Sequence, residues 1–251
     1  MEDGREKLKD SDIKVTLSTP FGKWLSNFWY HHKWKVIIIS FFAIVIIVGV
    51  VQMLKKEDHD IEILIATHTV LYAEDVEAIE NALVGLMPED FNGDGKNTLY
   101  LNTYKIYSED ELKAANEAET DKDGNPVIYA DANYNKEQIN EFDQYIMTGE
   151  CTIMILSEYL YKDLITRSET VLLKPIKDIF GDSLPADMIA EGGYGVHLYK
   201  TEVYKHFDAL KVIPDDAVIC IMQPMAFNKG FSEEKYQKAL NYFKSIVNFG
   251  R

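Results

Sequence analysis

The chain carries one long apolar run without charge, from Val36 to Leu54 (VIIISFFAIVIIVGVVQML). At about 1.5 Å of rise per residue, its 19 residues make a helix of roughly 28 Å, which is enough to cross the hydrocarbon core of a bilayer. A lone span in lipid must satisfy its backbone hydrogen bonds internally, so it has to be helical. The run therefore predicts three parts: an N-terminal arm (1–35), a transmembrane helix (36–54) and a C-terminal domain (57–251).

The apolar run has the features of an uncleaved anchor. A secretory signal has an apolar core of about 7–15 residues followed by a cleavage site of small residues. Here the run is longer, 35 residues precede it, and the segment Gln52-Met53-Leu54-Lys55-Lys56 contains no such site. A buried core helix fits less well, because such a helix is seldom apolar on every face. We therefore expect a signal anchor that stays in the membrane.

The distribution of charge predicts the orientation of this span. The arm holds seven basic residues in 35, whereas the sequence has no Lys or Arg between Lys56 and Lys96. Basic residues stay on the cytoplasmic side, so we expect a single-pass cell-membrane protein with a cytoplasmic N-terminus and an extracytoplasmic domain. That domain has 17 basic and 36 acidic residues. Such a balance excludes nucleic-acid binding through phosphate contacts and suits solubility, cations or basic partners.

Aromatic residues crowd the N-terminal side of the apolar run. Thr19 and Pro20 are typical of a helix start, with Thr as the N-cap and Pro at the first helical position. All three tryptophans of the chain lie between residues 24 and 34, beside further aromatic rings. Such rings prefer the headgroup level of a bilayer, which predicts an interfacial belt or a short surface helix.

The C-terminal domain alternates strand-like and helical segments. Short apolar or β-branched runs predict strands at 61–66, 98–107, 127–129, 151–156, 194–200 and 217–223. Helical periodicity predicts helices at 73–87, 109–119, 135–148, from 158 onward, and at 232–247. Asn135 and Gln138 are expected to form a capping pair at the start of the third helix. The alternation is typical of an α/β layered domain with a largely parallel or mixed sheet.

The segment Asp90–Lys96 (DFNGDGK) resembles the first half of a calcium loop of the EF-hand kind. Oxygen-bearing side chains alternate at Asp90, Asn92 and Asp94, with Gly where the loop must turn sharply. The twelfth position, which should supply a bidentate Glu, is Leu101, and a strand follows instead of a helix. The segment therefore predicts a partial loop that could hold Ca²⁺ weakly; the alternative is a metal-free turn.

The sequence contains no HExxH, GxSxG, P-loop or GxGxxG motif, so no catalytic activity is expected. His68, His197 and His206 stand alone in the sequence, which favours core or surface positions over metal ligation. Cys151 and Cys220 each lie in an apolar run, which favours two buried thiols. A disulfide is nevertheless permitted outside the cytoplasm.

One stretch resembles a known protein family. FDQYIMTGECTIMILSEYLYKDLI, then LLKPIKDIFGDSLP and GGYGVHLYKTEVY, are similar to segments of extracellular solute-binding proteins of ABC importers. The resemblance covers about residues 136 to 247 and implies a type 2 periplasmic-binding fold with non-catalytic ligand capture. This domain is shorter than those proteins, and a membrane helix replaces their usual lipobox cysteine. It would therefore be a reduced, membrane-anchored relative.

The resemblance also implies where a ligand would bind. In that family ligands meet the loops that follow the sheet strands. The matching candidates in this chain are Thr67, His68, Ser157, Glu158, Tyr159 and Tyr194. Two functions stay open: an extracytoplasmic module that binds a small molecule, or a cell-envelope component that uses the same fold to hold a protein partner.

Overall fold

The structure is a computed structural model that describes residues 19–54, 59–117, 130–149, 151–167, 172–224 and 232–251. The chain divides into two compact units, Met1–Glu57 and Asp58–Arg251. The predicted strand at 127–129 and the first 18 residues of the arm lie outside the described residues.

The described part of the first unit forms one long helix, α1 (Pro20–Leu54). Its 35 residues correspond to about 52 Å of helix. Thr19 caps it as predicted, since its Oγ1 accepts a hydrogen bond from the Gly22 N–H at 3.2 Å. The aromatic segment is continuous with the apolar run, so the two are parts of one helix. Phe21, Trp24 and Phe28 stack in succession, with ring centroids 6.0 and 5.5 Å apart.

By length and composition, Pro20–Val51 could cross a membrane. None of its most apolar segment is buried in the structure. Large side chains such as Ile39, Phe41 and Ile46 are more than half exposed. An exposed helix of this length that is apolar on all sides is compatible with a membrane anchor.

The second unit is a mixed α/β domain. Its strands are β1 (Ile61–Thr67), β2 (Leu99–Lys105), β3 (Ile153–Leu156), β4 (Gly195–His197) and β5 (Val218–Ile221). Its α-helices are α2 (Ala73–Val84), α3 (Glu109–Glu117), α4 (Ala132–Thr148), α5 (Glu158–Thr166), α6 (Ile176–Phe180), α7 (Glu202–His206) and α8 (Glu233–Val247). Short 3-10 helices lie at Ala186–Met188, Glu191–Gly193, Leu198–Lys200 and Asp208–Val212.

The five strands form one sheet in the order β2-β1-β3-β5-β4. β1 pairs in parallel with both β2 and β3, whereas β5 runs antiparallel to its neighbours β3 and β4. The predicted mixed sheet is therefore confirmed. A sheet with parallel central strands needs cover on both faces, because those strands are buried on both sides.

Alternate residues of the strands supply two separate cores. On one face, Ile63 of β1 and Ile155 of β3 pack in a core that includes residues of α2 and α8. On the other face, Leu64 and Met154 pack in a core that includes residues of α4 and α5. The period-2 alternation of a strand sends neighbouring residues to opposite faces, which is why uninterrupted apolar runs occur here.

Several predicted boundaries are wrong in detail, and strands β2, β3 and β5 are each shorter than predicted. Helix α4 begins at Ala132 with Asp131 as its N-cap, because the Asp131 carboxylate accepts from the N–H groups of Asn133 and Tyr134. Asn135 is therefore inside the helix and does not cap it. The predicted strand at 194–200 is strand only at Gly195–His197, and a 3-10 turn follows. Helix α2 ends at Val84, ahead of the predicted stop.

The two cysteines are free and buried, as the sequence favours. Cys151 precedes β3 and Cys220 lies within β5. Burial disfavours the thiolate, so the pKa of both thiols is raised. A raised pKa and full burial make a thiol unreactive.

Candidate functional site

All five strands contribute an end to one edge of the sheet, which we call the carboxyl edge. Strands β1 to β4 end there and β5 begins there. The chain leaves β1 for β2 on one side and later enters β3 on the other side, so the strand order reverses between β1 and β3. In open α/β sheets, ligands bind in the crevice beyond the carboxyl ends at such a switch point.

Thr67 and Ser157 lie at this switch point, and both are buried. Thr67 ends β1, and its Oγ1 accepts from the Thr69 N–H at 3.4 Å. Ser157 follows β3: its N–H donates to the Ala66 carbonyl at 2.9 Å, and its Oγ caps α5 by accepting from the Leu160 N–H. Both hydroxyls thus shape the loops that leave the strands.

Glu158 and Tyr159 occupy the first turn of α5 at the same edge. The Glu158 carboxylate lies 2.8 Å from Lys162 Nζ one turn later. Tyr159 is 40 % exposed, which leaves its ring available to a ligand or partner. Its pKa is raised, first by partial burial and then by the nearby carboxylates of Asp163, Glu109 and Glu111.

Tyr194 is separate from the other candidates. It precedes β4, so it lies at the end of that strand opposite to the carboxyl edge. Its N–H donates to Tyr161 Oη at 3.2 Å, and its side chain packs against the core on the α4–α5 face. The structure therefore brings five of the six candidates to one edge and leaves Tyr194 out.

Three side chains from distant parts of the chain converge at the carboxyl edge, and we call them the His68 cluster: His68, Glu111 and Asp216. One ligand atom from each lies within 4.8 Å of the other two. His68 Nδ1 is 3.1 Å from Glu111 Oε1. Within the part of the chain that the structure describes, neither His68 Nδ1 nor Asp216 Oδ1 has an aligned hydrogen-bond partner, and both atoms are shielded from solvent.

Local structure fixes each member of the His68 cluster. His68 directly follows β1, and Asp216 lies in the turn that enters β5. Glu111 belongs to a capping box at the start of α3: the Ser108 N–H donates to Glu111 Oε2 at 2.7 Å, and the Glu111 N–H donates to Ser108 Oγ. The sequence reasoning missed Glu111 and Asp216, although Ser108-x-x-Glu111 is a visible capping-box signal.

The predicted calcium loop lies at the opposite edge of the sheet, beside Asp60 and Thr98, which directly precede β1 and β2. Both Asp90 oxygens accept backbone hydrogen bonds, from Gly93 at 2.7 Å and from Gly95 at 2.6 Å. These bonds, the one from Gly95 above all, lower the pKa of Asp90. Asn92 and Asp94 each accept from the N–H two residues further on.

A cleft of about 150 Å³ opens beside Thr67 and Lys105, where β1 and β2 end. Tyr134 and Gln138 of α4 line its other side. Pockets that enclose a drug-sized ligand usually have about 300–1,000 Å³. This cleft is therefore large enough only for a small polar group or part of a larger ligand.

Comparison with known proteins gives no relative for this chain: no family model, no curated protein and no solved structure matches it.

Proposed function

We propose that this protein is a membrane-anchored, non-catalytic, extracytoplasmic module that binds a ligand at the carboxyl edge of its sheet. The observation that carries the proposal is the grouping of Thr67, His68, Ser157, Glu158 and Tyr159 at the switch point between β1 and β3. These five residues come from two segments far apart in the sequence. The position is the one where open α/β sheets bind ligands.

The resemblance to solute-binding proteins supports the same location. It implied ligand contacts in the loops after the strands, and Tyr194 is the one candidate of that set outside the edge. The sheet has parallel central strands and helices on both faces, as a lobe of an α/β binding protein requires. The module would be a reduced, single-lobed form of such a fold.

A panel of sugars, peptides and amino acids would test ligand binding by thermal unfolding of the full chain in detergent. A ligand at about 100 times its Kd adds roughly 2.7 kcal/mol to the free energy of unfolding. We expect Tyr159→Ala to remove that gain. Tyr100→Ala is the control, because Tyr100 is exposed to a similar degree, 44 %, but lies at the opposite edge of the sheet. Equal loss in both variants would contradict the proposed site.

The orientation in the cell membrane is part of the proposal and has its own test. Because the two native cysteines are buried, a cysteine introduced at the surface would be the reactive one. We expect an impermeant maleimide to label Glu77→Cys in intact cells and to label Ser11→Cys only after lysis. The reverse pattern would place the α/β domain in the cytoplasm.

The small volume of the cleft favours a second candidate, a cell-envelope component that holds a protein partner. A cleft of about 150 Å³ encloses little of a small molecule, whereas the exposed Tyr159 suits a protein interface. A photoreactive phenylalanine analogue in place of Tyr159 should then form a protein adduct in membranes, and one in place of Tyr100 should not. A thermal shift with a small molecule but no adduct would favour the first candidate.

A further inference from the structure

We propose that the His68 cluster is a binding site for one divalent transition-metal ion. The ligand atoms are Nδ1 of His68, Oε1 of Glu111 and Oδ1 of Asp216. The inference goes beyond the proposed function, because a metal can bind these side chains whether or not the crevice takes a further ligand. It concerns different residues from the predicted calcium loop, which lies at the other edge of the sheet.

Two polar atoms of the His68 cluster are buried in the described part of the structure. Among the described residues, His68 Nδ1 and Asp216 Oδ1 have no aligned hydrogen-bond partner and no solvent contact. A buried carboxylate oxygen without a donor destabilises the folded state, because it has lost its water without gaining a partner. A cation between these atoms would satisfy both of them at once.

In Glu111 and in Asp216, the carboxylate oxygen that does not face the cluster accepts a backbone hydrogen bond. Glu111 Oε2 accepts from the Ser108 N–H at 2.7 Å, and Asp216 Oδ2 accepts from the Glu158 N–H at 3.2 Å. In both residues one oxygen is thus held by the backbone and the other is left for the cluster. Metal-binding carboxylates are oriented by outer hydrogen bonds of this kind.

The ligand atoms of the His68 cluster lie close to the spacing that a bound metal ion requires. Ligands of a tetrahedral site, at 2.0–2.2 Å from the metal, lie about 3.4 Å from one another. His68 and Glu111 already meet this spacing at 3.1 Å. All three ligand atoms lie within 4.8 Å of one another. The largest separation therefore exceeds the tetrahedral spacing by at most about 1.4 Å, a difference that side-chain rotation can close. Three protein ligands would leave a fourth position for water or another ligand.

The ligand set also indicates the class of metal. Ca²⁺ and Mg²⁺ take oxygen ligands, whereas an imidazole nitrogen suits Zn²⁺, Fe²⁺ and similar ions. Two carboxylates bring the negative charge that a divalent cation requires. We therefore use Zn²⁺ as the probe and Ca²⁺ as the ion that should not bind here.

The competing explanation is a direct side-chain pair between His68 and Glu111, whose atoms are 3.1 Å apart, with no ion present. Such a pair needs no metal and would leave the thermal stability unchanged when Zn²⁺ is added. The metal site requires saturable binding of one Zn²⁺ per chain. The two explanations thus differ in a direct measurement.

The experiment is calorimetric titration of Zn²⁺ into the full chain in detergent, after treatment with chelator. We expect one site per chain, weakened at least tenfold by Glu111→Gln and by Asp216→Asn, since even outer-shell changes cost 10–100-fold. The controls carry the same change of charge next to each ligand: Asp110→Asn, whose side chain is fully exposed, and Asp215→Asn. Both controls should bind Zn²⁺ as the unaltered chain does.

Glu111→Gln keeps an amide oxygen for the Ser108 N–H, so helix α3 retains its cap in this variant. Circular dichroism with chelator present will show that each variant is folded. As a second measurement, Co²⁺ bound to the unaltered chain should give visible absorption bands of a nitrogen- and oxygen-ligated ion, and His68→Gln should change them. An absence of Zn²⁺ binding to the unaltered chain, or equal affinity in Glu111→Gln, would overturn the proposal.

Discussion

Asn135 binds the backbone of Tyr107 through both ends of its amide group. Its Oδ1 accepts from the Tyr107 N–H at 2.8 Å, and its Nδ2 donates to the Tyr107 carbonyl at 3.0 Å. Asn135 is 8 % exposed, so the pair lies in the interior. It connects helix α4 to the chain that leaves β2 at the carboxyl edge.

Replacing Asn135 by Ala should destabilise the domain. The change leaves a backbone N–H and a carbonyl of Tyr107 without partners, which we expect to cost about 2 kcal/mol. Chemical denaturation followed by circular dichroism measures this loss. Asn140→Ala is the matched control, because Asn140 is exposed on the same helix and should change stability by less than about 0.5 kcal/mol. Equal values for the two variants would contradict the role of the pair.

The same residue shows where sequence reasoning stops. Asn135 followed by Gln138 has the pattern of a helix cap, but Asp131 takes that place because its carboxylate reaches the first free N–H groups. The partner of Asn135 is 28 residues away. Sequence periodicity identifies a helix, but it carries no signal for a bond between segments that only the folded chain brings together.

The candidate site also has features that the sequence predicts and features that only the folded chain reveals. The strand ends Thr67 and Ser157 follow from apolar runs that local pattern identifies well. The His68 cluster does not, because its three residues come from the ends of different elements and become neighbours only through the sheet order. The capping-box pattern Ser108-x-x-Glu111 is visible in the sequence and indicates where the Glu111 side chain is held. Nothing near Asp216 in the sequence indicates which residues become its neighbours.

Gly195 begins β4 at a point where a side chain has no room. A Cβ atom there would lie 2.3 Å from Val218 Cγ1 and 3.0 Å from Tyr161 Cε2. Gly195→Ala should therefore cost about 1–3 kcal/mol through overpacking, as measured by chemical denaturation. Gly85→Ala is the control, since a Cβ atom there would lie 3.7 Å from the Ala82 carbonyl oxygen and the φ of Gly85 is negative. This change should be neutral or slightly stabilising.

A double-mutant cycle can assign that cost to one contact. If Val218 is the main obstacle, Gly195→Ala should cost less in the background of Val218→Ala than in the unaltered chain. An unchanged cost would show that another atom, such as the Ile219 carbonyl at 3.3 Å, is responsible.

The Asp90 loop should make stability depend on pH in the acidic range. Backbone hydrogen bonds to its carboxylate lower the pKa of Asp90 in the folded state below the ordinary 3.8. The ionised form is therefore favoured by folding, so the contribution is full above pH 3.8 and is lost as the pH falls through the lowered pKa. Asp90→Asn should flatten this part of the curve of unfolding free energy against pH.

The calcium prediction is tested separately from the transition-metal site. Asp90, Asn92 and Asp94 already accept backbone hydrogen bonds, so Ca²⁺ would have to share these oxygens with the loop's own N–H groups. If the loop holds Ca²⁺, millimolar Ca²⁺ should raise the unfolding temperature relative to chelator, and Asp94→Asn should reduce the rise. We choose this position because the amide oxygen of the substituted side chain can still accept from the Lys96 N–H, so the turn keeps that hydrogen bond.

The two metal predictions have opposite patterns across the variants. If the loop binds Ca²⁺, the rise in unfolding temperature should fall in Asp94→Asn and stay the same in Glu111→Gln. The two positions lie at opposite ends of β1, a strand of about 20 Å, so a change at one should not affect an ion at the other. A transition-metal site at the His68 cluster shows the reverse. If Ca²⁺ leaves the unfolding temperature unchanged, the loop is a metal-free turn whose carboxylates accept from its own backbone N–H groups. Such a loop would still be needed to hold the entry to β2, since Asp60 accepts from the N–H groups of Phe91 and Thr98.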